Sequence, residues 1–328
     1  MQDNELIEVK DASISYVTRS ERIDAVRNVS LSLEKGSIHG LVGESGCGKS
    51  TLATIFLNLI NRPARLIGGS LTYHSRSGDI DVLNLRPPEL RRYRWKEVSM
   101  IFQGSMNSLN PVMRVADQII DVMVDHDYTF TEAADRVDGL LELAGISKRV
   151  KTLYPHELSG GMKQRVNIAI ALACEPKAII ADEPTTALDV VVQSQITRKL
   201  ESLRRTLGLS ILFISHDISL VGAIADRISV MYAGRIVEVG KVQDILKDPA
   251  HQYTRALLAS IPTLKNMSDR ISGIPGHPPR LNEPVMGCAF ADRCRKAQNR
   301  CRLEEPKLEQ ISPDHMAACF FPGGDKSA

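Results

Sequence analysis

Apolar and polar residues alternate near the start of the chain, as they do in half-buried β-strands. The alternation covers Ile7 to Tyr16 and resumes from Asp24 to Glu34. Lys35-Gly36 then predicts a turn, and Ile38 to Val42 is a short apolar run typical of a buried strand. The pattern predicts two antiparallel strands ahead of a strand that enters an α/β core.

Later apolar runs have the length of buried strands and end in polar residues. These runs are Val98 to Phe102, Ala178 to Ala181 and Ser210 to Ile214, and the polar residues that follow them are Gln103, Asp182 with Glu183, and His216. Parallel sheets place ligand-contacting side chains at such strand ends. The pattern therefore predicts a ligand site at one edge of a parallel sheet.

Helical periodicity interrupts this strand pattern in the middle of the chain. Apolar residues recur every three or four positions in Val115 to Val124 and in Thr131 to Ala144, with Thr131 as the expected cap of the second helix. We expect a helical insert at about residues 104–165 between two halves of the core. A short helix at Val242 to Lys247 then leads into a proline-rich stretch. The expected division is a domain over residues 1–249 and an appended module over residues 250–328.

Composition excludes several classes of protein. Hydrophobic residues make up 43% of the 328 residues, but no apolar run approaches the ~20 residues that span a bilayer. The N-terminus is polar and acidic, so no signal peptide is expected. The net charge of +2 comes from interspersed charges without a long basic run, which disfavours nucleic acid as a partner. The chain is expected to be cytoplasmic.

A phosphate-binding motif lies between the strand Ile38 to Val42 and a helix predicted from Leu52 to Ile60. The motif is Gly43-Glu44-Ser45-Gly46-Cys47-Gly48-Lys49-Ser50-Thr51. Its glycines let the backbone wrap an anion, Lys49 can reach the β- and γ-phosphates, and Ser50 can offer its hydroxyl to Mg²⁺. A simple glycine turn before a helix is the alternative, and the strand–loop–helix context disfavours it.

Cys47 carries a separate expectation. It lies at a helix N-terminus, two residues from Lys49, and both features favour a thiolate. We expect alkylation of Cys47 to inhibit nucleotide hydrolysis and MgATP to protect the thiol. A buried, inert residue is the alternative.

The other candidate residues each have an ordinary interpretation beside a functional one. Tyr16 can stack on adenine or simply end a strand, and Gln103 can meet Mg²⁺ or the attacking water or be an ordinary strand-end glutamine. Ser159-Gly160-Gly161 can bind an anion or merely cap a helix. Asp182 suits Mg²⁺ and Glu183 suits activation of water, against an exposed acidic turn.

The ordered set of motifs resembles an ABC-type ATPase over about residues 5 to 245. The set comprises Walker A (Gly43–Thr51), the Q-loop Gln103, the signature Leu158–Gln164, Walker B (Ala178–Glu183), a D-loop (Ala187-Leu188-Asp189) and the switch His216. Ser105 to Pro111, Tyr154 to Leu158 and His251 to Thr254 narrow the resemblance to the ATP-binding subunits of oligopeptide/dipeptide permeases. The chain departs from the family at Gln103-Gly104-Ser105, where Asp-Pro or Glu-Pro usually follows the glutamine.

This resemblance implies a fold and a mechanism. The fold is α/β, a P-loop NTPase core of ABC type with an antiparallel β subdomain, a helical insert and a small cysteine-bearing C-terminal module. Two subunits would sandwich ATP between Walker A of one and Ser159-Gly160-Gly161 of the other. In the family, Lys49 binds phosphate, Ser50 and Gln103 serve Mg²⁺, His216 holds the γ-phosphate, and Asp189 stands at the nucleotide site.

The resemblance also implies partners, a location and a task. The partners would be a second ABC ATPase subunit, expected to be a paralogue, two transmembrane permease subunits and an extracytoplasmic solute-binding protein. The chain would act at the cytoplasmic face of the cell membrane as a peripheral subunit. It would couple ATP hydrolysis to uptake of di- or oligopeptides. Import of nickel or oligosaccharides, and a soluble non-transport ATPase, are the alternatives.

Four cysteines near the C-terminus form a separate candidate site. They are Cys288, Cys294, Cys301 and Cys319. Four thiolates suit a [4Fe–4S] cluster or Zn²⁺, and free thiols are the third possibility. The spacing lacks the close cysteine pairs of most zinc sites, and some members of the resembled family carry a cluster. We expect a [4Fe–4S] cluster, and we expect nucleotide binding to be independent of the C-terminal module.

Overall fold

Two β-sheets form the framework of the protein, and the computed structural model describes residues 4–104, 108–261 and 273–324. The smaller sheet is antiparallel and has the strand order β2-β1-β4-β5. Its strands are β1 (Glu5–Val17), β2 (Arg22–Glu34), β4 (Ala64–Ser75) and β5 (Gly78–Asp81). The two alternating segments predicted at the N-terminus are therefore paired, as expected.

The larger sheet is mixed and holds the phosphate-loop strand at its centre. Its strands, in sheet order, are β11 (Glu309–Ser312), β12 (His315–Ala317), β10 (Arg235–Lys241), β9 (Arg227–Tyr232), β3 (Ile38–Val42), β8 (Ser210–Ser215), β7 (Ala178–Asp182) and β6 (Val98–Ile101). The pairs from β9 through β6 are parallel, and β10, β12 and β11 are antiparallel to their neighbours. The carboxyl ends of β3, β6, β7 and β8 therefore lie at the same end of the sheet.

The helices lie between the strands in the chain. They are α1 (Lys49–Ile55), α2 (Pro87–Lys96), α3 (Val115–Val124), α4 (Phe130–Leu143), α5 (Gly160–Leu172), α6 (Val190–Leu207), α7 (Ile218–Gly222), α8 (Val242–Lys247), α9 (Gln252–Ala259) and α10 (Asn299–Leu303). Helices α3, α4 and α5 pack against one another. None of the helices in the described ranges is both long and apolar enough to cross a membrane.

Alternation along the buried strands divides the core into two layers. Ile211 and Phe213 on β8 belong to the layer that packs against α3, α4 and α6. Leu212 and Ile214, on the opposite face of the same strand, belong to the layer shared with α1 and the antiparallel sheet. Because successive side chains of a strand point to opposite faces, one short apolar strand joins both layers.

The segment after residue 249 continues the mixed sheet. Strand β12 pairs with β10, and Glu238 of β10 is fully buried beneath this pairing. The Glu238 carboxylate accepts hydrogen bonds from Ala250 N at 2.6 Å, His251 N at 2.9 Å and His315 Nε2 at 2.7 Å. A buried carboxylate with three donors is stabilised in place, so Glu238 fixes the start of the C-terminal segment against the sheet.

Several predicted boundaries were wrong. Helix α1 ends at Ile55 rather than Ile60. Thr129, not Thr131, caps α4, because its hydroxyl accepts from Glu132 N while Glu132 Oε2 accepts from Thr129 N. Ser105, one of the residues at which the chain departs from the family pattern, lies outside the described residues.

The first testable prediction concerns two buried histidines. Burial lowers the pKa of His39 and of His251 to about 4, from 6.5. Below pH 6.5 the unfolded chain therefore binds protons that the folded chain does not, so stability falls as the pH drops from 6.5 towards 4. Each histidine should cost about 2 kcal/mol at pH 5.

We expect the urea midpoint of the protein to fall between pH 7.5 and pH 5.0. His39→Gln removes one of the two titrations, so the drop between these pH values should be smaller in that variant. Chemical denaturation at both pH values measures it. An equal drop in both proteins would contradict the assignment to His39.

Candidate functional site

A cleft opens where the parallel strands end. It has a volume of about 310 Å³ and is lined by Tyr16, Ile23, Ala25, Ser45, Gly46, Gly48, Lys49, Ser50, Thr51, Gln103, Glu183 and Leu281. The register places Val42 beside Ser215, and Asp182 beside Ile214. Residues that follow β3, β6 and β7 therefore reach the same cleft, as the sequence predicted.

Two glycines of the phosphate loop are required by close backbone contacts. Gly48 has a φ of +105°, and a Cβ there would lie 2.2 Å from Ala25 O. At Gly43 a Cβ would lie 2.2 Å from Met231 O. Neither position has room for a side chain, so the loop packs tightly against β9 and β2. Gly46, by contrast, has nothing within 4 Å of the position of a Cβ.

Lys49 is held by two carbonyl groups of the phosphate loop. Its Nζ donates to Gly43 O at 2.8 Å and to Glu44 O at 3.0 Å. The side chain is 4% exposed and lines the cleft. The ammonium therefore already points along the inside of the loop, where an anion would exchange with these carbonyl contacts.

Ser50 and Asp182 lie together beneath the loop. Ser50 Oγ donates to Asp182 Oδ1 at 3.1 Å, and Asp182 is 3% exposed. Burial raises the pKa of Asp182, which the Ser50 hydrogen bond partly opposes. A hydroxyl and a carboxylate are the hard oxygen donors that Mg²⁺ prefers, so this pair fits a magnesium ion.

Glu183 lies at the centre of a small polar cluster. Its carboxylate accepts from Thr186 Oγ1 at 2.9 Å and from Gln103 Nε2 at 3.3 Å, and His216 Nδ1 lies 3.5 Å away. Its backbone φ is +46°, a region that costs free energy for a residue with a side chain. The sequence predicted Gln103, Glu183 and His216 as neighbours and missed Thr186, which has no motif of its own.

Tyr16 forms the rim of the cleft on the side of β1. Its hydroxyl lies 3.1 Å from Thr51 Oγ1. The ring therefore stands beside the start of α1, with Ile23 and Ala25 of β2 on the same wall. This part of the cleft combines a half-buried aromatic ring with apolar neighbours, which suits a base.

The signature residues and the D-loop aspartate cap helices away from this cleft. Ser159 caps α5, its hydroxyl accepting from Met162 N at 3.4 Å, and Gly160 and Gly161 are its first two residues. Asp189 caps α6 and accepts from Val192 N at 2.9 Å. None of the residues 158–164, all of them described, lines the cleft. The cleft of one chain therefore lacks these residues.

Cys47 is not the reactive thiolate that the sequence predicted. It is 5% exposed, and burial raises its pKa despite the nearby charge of Lys49, whose Nζ lies 3.8 Å from Sγ. The loop folds Cys47 under Gly43 rather than towards the cleft. Desolvation outweighs the helix N-terminus here, because the thiolate would lose water on every side.

Residues of the C-terminal segment also reach the cleft, which the sequence did not predict. Leu281 lines the cleft, and its carbonyl accepts from Asp24 N at 3.0 Å. Arg293 and Tyr253 contact Glu44 of the phosphate loop. No sequence motif marks these three residues, so their contacts with the cleft and the phosphate loop appear only in the structure.

The four C-terminal cysteines lie in one neighbourhood. Burial, and more weakly the charges of the other three, raises the pKa of Cys288 to about 11. Cys288 N donates to Cys301 O at 2.7 Å. Within the described ranges, no three of the cysteine sulfurs all lie within 4.8 Å of one another. The thiols are therefore grouped but spaced apart.

Comparisons with known proteins give two family matches. The model described as ABC transporter matches residues 26–186, and the model described as oligopeptide/dipeptide transporter, C-terminal region, matches residues 237–301. The oligopeptide transport ATP-binding protein OppD of Salmonella typhimurium is 43% identical over 324 residues, with 97% of this chain and 94% of that protein covered. OppD of Bacillus subtilis is 45% identical, with 96% and 88% covered.

A solved structure supports the same comparison at the level of the fold. A dimeric bacterial ABC transporter cassette matches with a TM-score of 0.64 and 28% identity. The match covers 72% of this chain and 99% of the cassette. The protein therefore has the fold of an ABC cassette over 72% of its chain, and the rest of the chain extends beyond the cassette.

The second testable prediction follows from the buried Cys47 thiol. We expect alkylating reagents to leave Cys47 unmodified in the folded protein, with or without MgATP, because the raised pKa and the burial both suppress the thiolate. Peptide mapping by mass spectrometry measures the modification, and urea-unfolded protein is the positive control. Rapid labelling of Cys47 that MgATP prevents would instead support the reactive thiolate predicted from the sequence.

Proposed function

We propose a function for this chain from one premise: it belongs to the family of ATP-binding subunits of oligopeptide/dipeptide ABC transporters. The premise rests on near-full-length identity above 40% to OppD proteins and agrees with the resemblance read from the motifs. The chain is an ABC-type ATPase that energises the import of di- or oligopeptides. The observation that carries the proposal is the cleft in which Lys49, Gln103 and Glu183 meet.

In this proposal the phosphate loop binds the triphosphate of ATP. The backbone N–H groups between Gly43 and Thr51 point at the phosphates, and Lys49 leaves its carbonyl partners for the β- and γ-phosphates. Tyr16 stacks on adenine at the rim. Ser50, Asp182 and Gln103 would hold Mg²⁺, which neutralises charge on the phosphates when bound.

Glu183 is the proposed group that activates water. It is 9% exposed, and three polar side chains orient its carboxylate, so it is fixed before substrate binds. His216 stands on the open side of this cluster, where it can hold the γ-phosphate. Phosphoryl transfer needs mainly positioning and charge stabilisation, and this arrangement supplies both.

The cleft requires a second subunit to become complete. We propose that Ser159, Gly160, Gly161 and Asp189 act on the ATP bound by a partner cassette in a head-to-tail dimer. Their position at the starts of α5 and α6, away from the cleft of their own chain, supports this arrangement, and Ser159 and Asp189 are exposed. The helix N-terminus at Ser159 presents N–H groups that suit a phosphate.

The remaining parts of the assembly follow from the same family. We propose a paralogous second ATPase subunit, two transmembrane permease subunits and an extracytoplasmic solute-binding protein, with this chain at the cytoplasmic face of the membrane. Of the solutes considered, the names of the relatives favour peptides over nickel or oligosaccharides. A soluble non-transport ATPase has no support among these relatives.

We also propose the division of the chain into residues 1–249 and 250–328, with the helical part at about 104–165. Helices α3, α4 and α5 pack together in support of the helical part. The match of a separate C-terminal family model to residues 237–301 supports the second unit, although β12 joins it to the sheet of the first.

For the cysteine site we propose a [4Fe–4S] cluster. The donor set is four thiols that approach one another in a partly buried pocket. In a tetrahedral zinc site with bonds of about 2.3 Å the four sulfurs lie about 3.8 Å apart, whereas no three of the described cysteine sulfurs lie within 4.8 Å of one another. A larger metal core fits the wider spacing better.

The third testable prediction concerns Glu183. Glu183→Gln should keep MgATP binding but lower hydrolysis by about 10²–10⁴-fold, the usual loss when a general base is removed. Phosphate release by the purified full-length protein, together with its permease partners, measures turnover. Glu201→Gln, which removes a carboxylate in a surface ion pair on α6, is the matched control and should be near wild type. Normal turnover in Glu183→Gln would place the base elsewhere.

The fourth prediction concerns the metal content of the cysteine site. Protein purified without oxygen should absorb in the visible region and contain about four irons per chain. Cys301→Ser should lose both signals while the α/β core keeps its cooperative unfolding. Stoichiometric zinc without iron would assign the site to zinc, and the absence of both metals would leave free thiols.

A further inference from the structure

Glu44 of the phosphate loop is held by the C-terminal segment through both its backbone and its side chain. Its backbone N donates to the Tyr253 hydroxyl at 2.9 Å. Its carboxylate forms a two-point ion pair with Arg293, Nη1 to Oε2 at 2.7 Å and Nη2 to Oε1 at 2.9 Å. These contacts join residues that are 209 positions (Tyr253) and 249 positions (Arg293) from Glu44 in sequence.

The Arg293 guanidinium has no N–H group to spare. Besides Glu44, it donates to the Tyr232 hydroxyl at 3.1 Å, to Pro275 O at 2.9 Å and to Ile274 O at 3.2 Å. A guanidinium has five N–H donors in a fixed fork, and here each of its nitrogens has an acceptor. The side chain is only 6% exposed. Arg293 is therefore fixed in one orientation.

Two aromatic rings lie beside the guanidinium of Arg293. Its guanidinium carbon lies 5.8 Å from the ring centre of Tyr232 and 5.9 Å from that of Phe290. These two rings meet edge to face, and both contact the ring of Tyr253. Such aromatic and cation–π contacts are stronger when they are removed from water, as they are here.

Without Arg293, Glu44 would be a poor neighbour for ATP. Glu44 does not itself line the cleft, but it is next to Ser45, which does, and like charges repel where water is partly excluded. Its carbonyl also accepts from Lys49 Nζ, so the orientation of this residue bears directly on the lysine that meets the phosphates. A neutralised and immobile Glu44 removes both problems.

We propose that Arg293 is a positioning residue for nucleotide binding, which acts by neutralising and orienting Glu44 of the phosphate loop. The C-terminal segment is then part of the machinery of ATP binding as well as an extension of the sheet. The inference rests on the proposed function of the cleft as an ATP site. If Arg293 neutralises Glu44, its contribution to nucleotide affinity increases with the negative charge of the nucleotide.

The fifth prediction tests this effect in the full-length protein. Calorimetric titration with MgATP and with MgADP gives the affinities, and thermal unfolding gives the stability. Arg293→Gln should weaken MgATP binding by about 5- to 50-fold, the range for groups coupled in one network, and should weaken MgADP binding less. Arg293→Lys should be intermediate, because it keeps the charge but loses the fork.

A second substitution distinguishes neutralisation of the Glu44 charge from a purely structural role of Arg293. Adding Glu44→Gln to Arg293→Gln removes the unpaired carboxylate, so the double variant should regain part of the lost MgATP affinity. Arg302→Gln is the matched control, because it breaks an exposed ion pair with Asp292 in the same segment, at 2.5 Å, away from the phosphate loop. It should bind MgATP like the wild type.

The outcomes separate the inference from the proposed function. If the wild type fails to bind MgATP, the proposed function is wrong. If the wild type binds and a folded Arg293→Gln binds MgATP equally well, the inference is wrong. If affinity for MgATP and for MgADP falls equally, with no recovery in the double variant, Arg293 has a structural role only and the inference is wrong. If Arg293→Gln does not fold, Arg293→Lys and Glu44→Gln supply the same comparison.

Discussion

The parallel pairing of β3, β8, β7 and β6 is the constraint on which the candidate site depends. Both faces of these strands are buried, each against a separate core layer. Because the side-chain period of a strand is two residues, a slip of one residue in any pair would move the side chains of one layer into the other and disrupt the packing of both. The core therefore fixes where Lys49, Asp182, Glu183 and His216 stand relative to one another.

The site that results is organised before any nucleotide binds. Lys49 is satisfied by carbonyls of its own loop, Ser50 by Asp182, and Glu183 by Gln103 and Thr186. An incoming ligand would exchange these internal bonds for its own rather than order free side chains, which lowers the entropic cost of binding. The positive φ at Glu183 indicates that the fold accepts local strain to hold this carboxylate in place.

Two carboxylates bind the C-terminal segment to the cassette in different ways. Glu238 is fully buried and anchors the start of the segment and β12 to the sheet. Glu44 is more exposed and joins Arg293 to the phosphate loop. Removing one member of either network would leave a charged group in a poorly solvated place, which is costly. The segment and the nucleotide site are therefore one physical unit, although their motifs lie far apart in sequence.

The sequence by itself determined the ATPase motifs, the positions of the buried strands along the chain and the residues at their ends, because these depend on local chemistry and on short-range periodicity. It placed α3 and α8 at the residues where they lie, and it erred at the end of α1 and at the cap of α4. Tertiary structure alone decided the state of Cys47, since burial depends on what packs above the loop. It alone brought Leu281 to the cleft and Arg293 and Tyr253 to the phosphate loop, because contacts between residues so distant in the chain leave no local pattern.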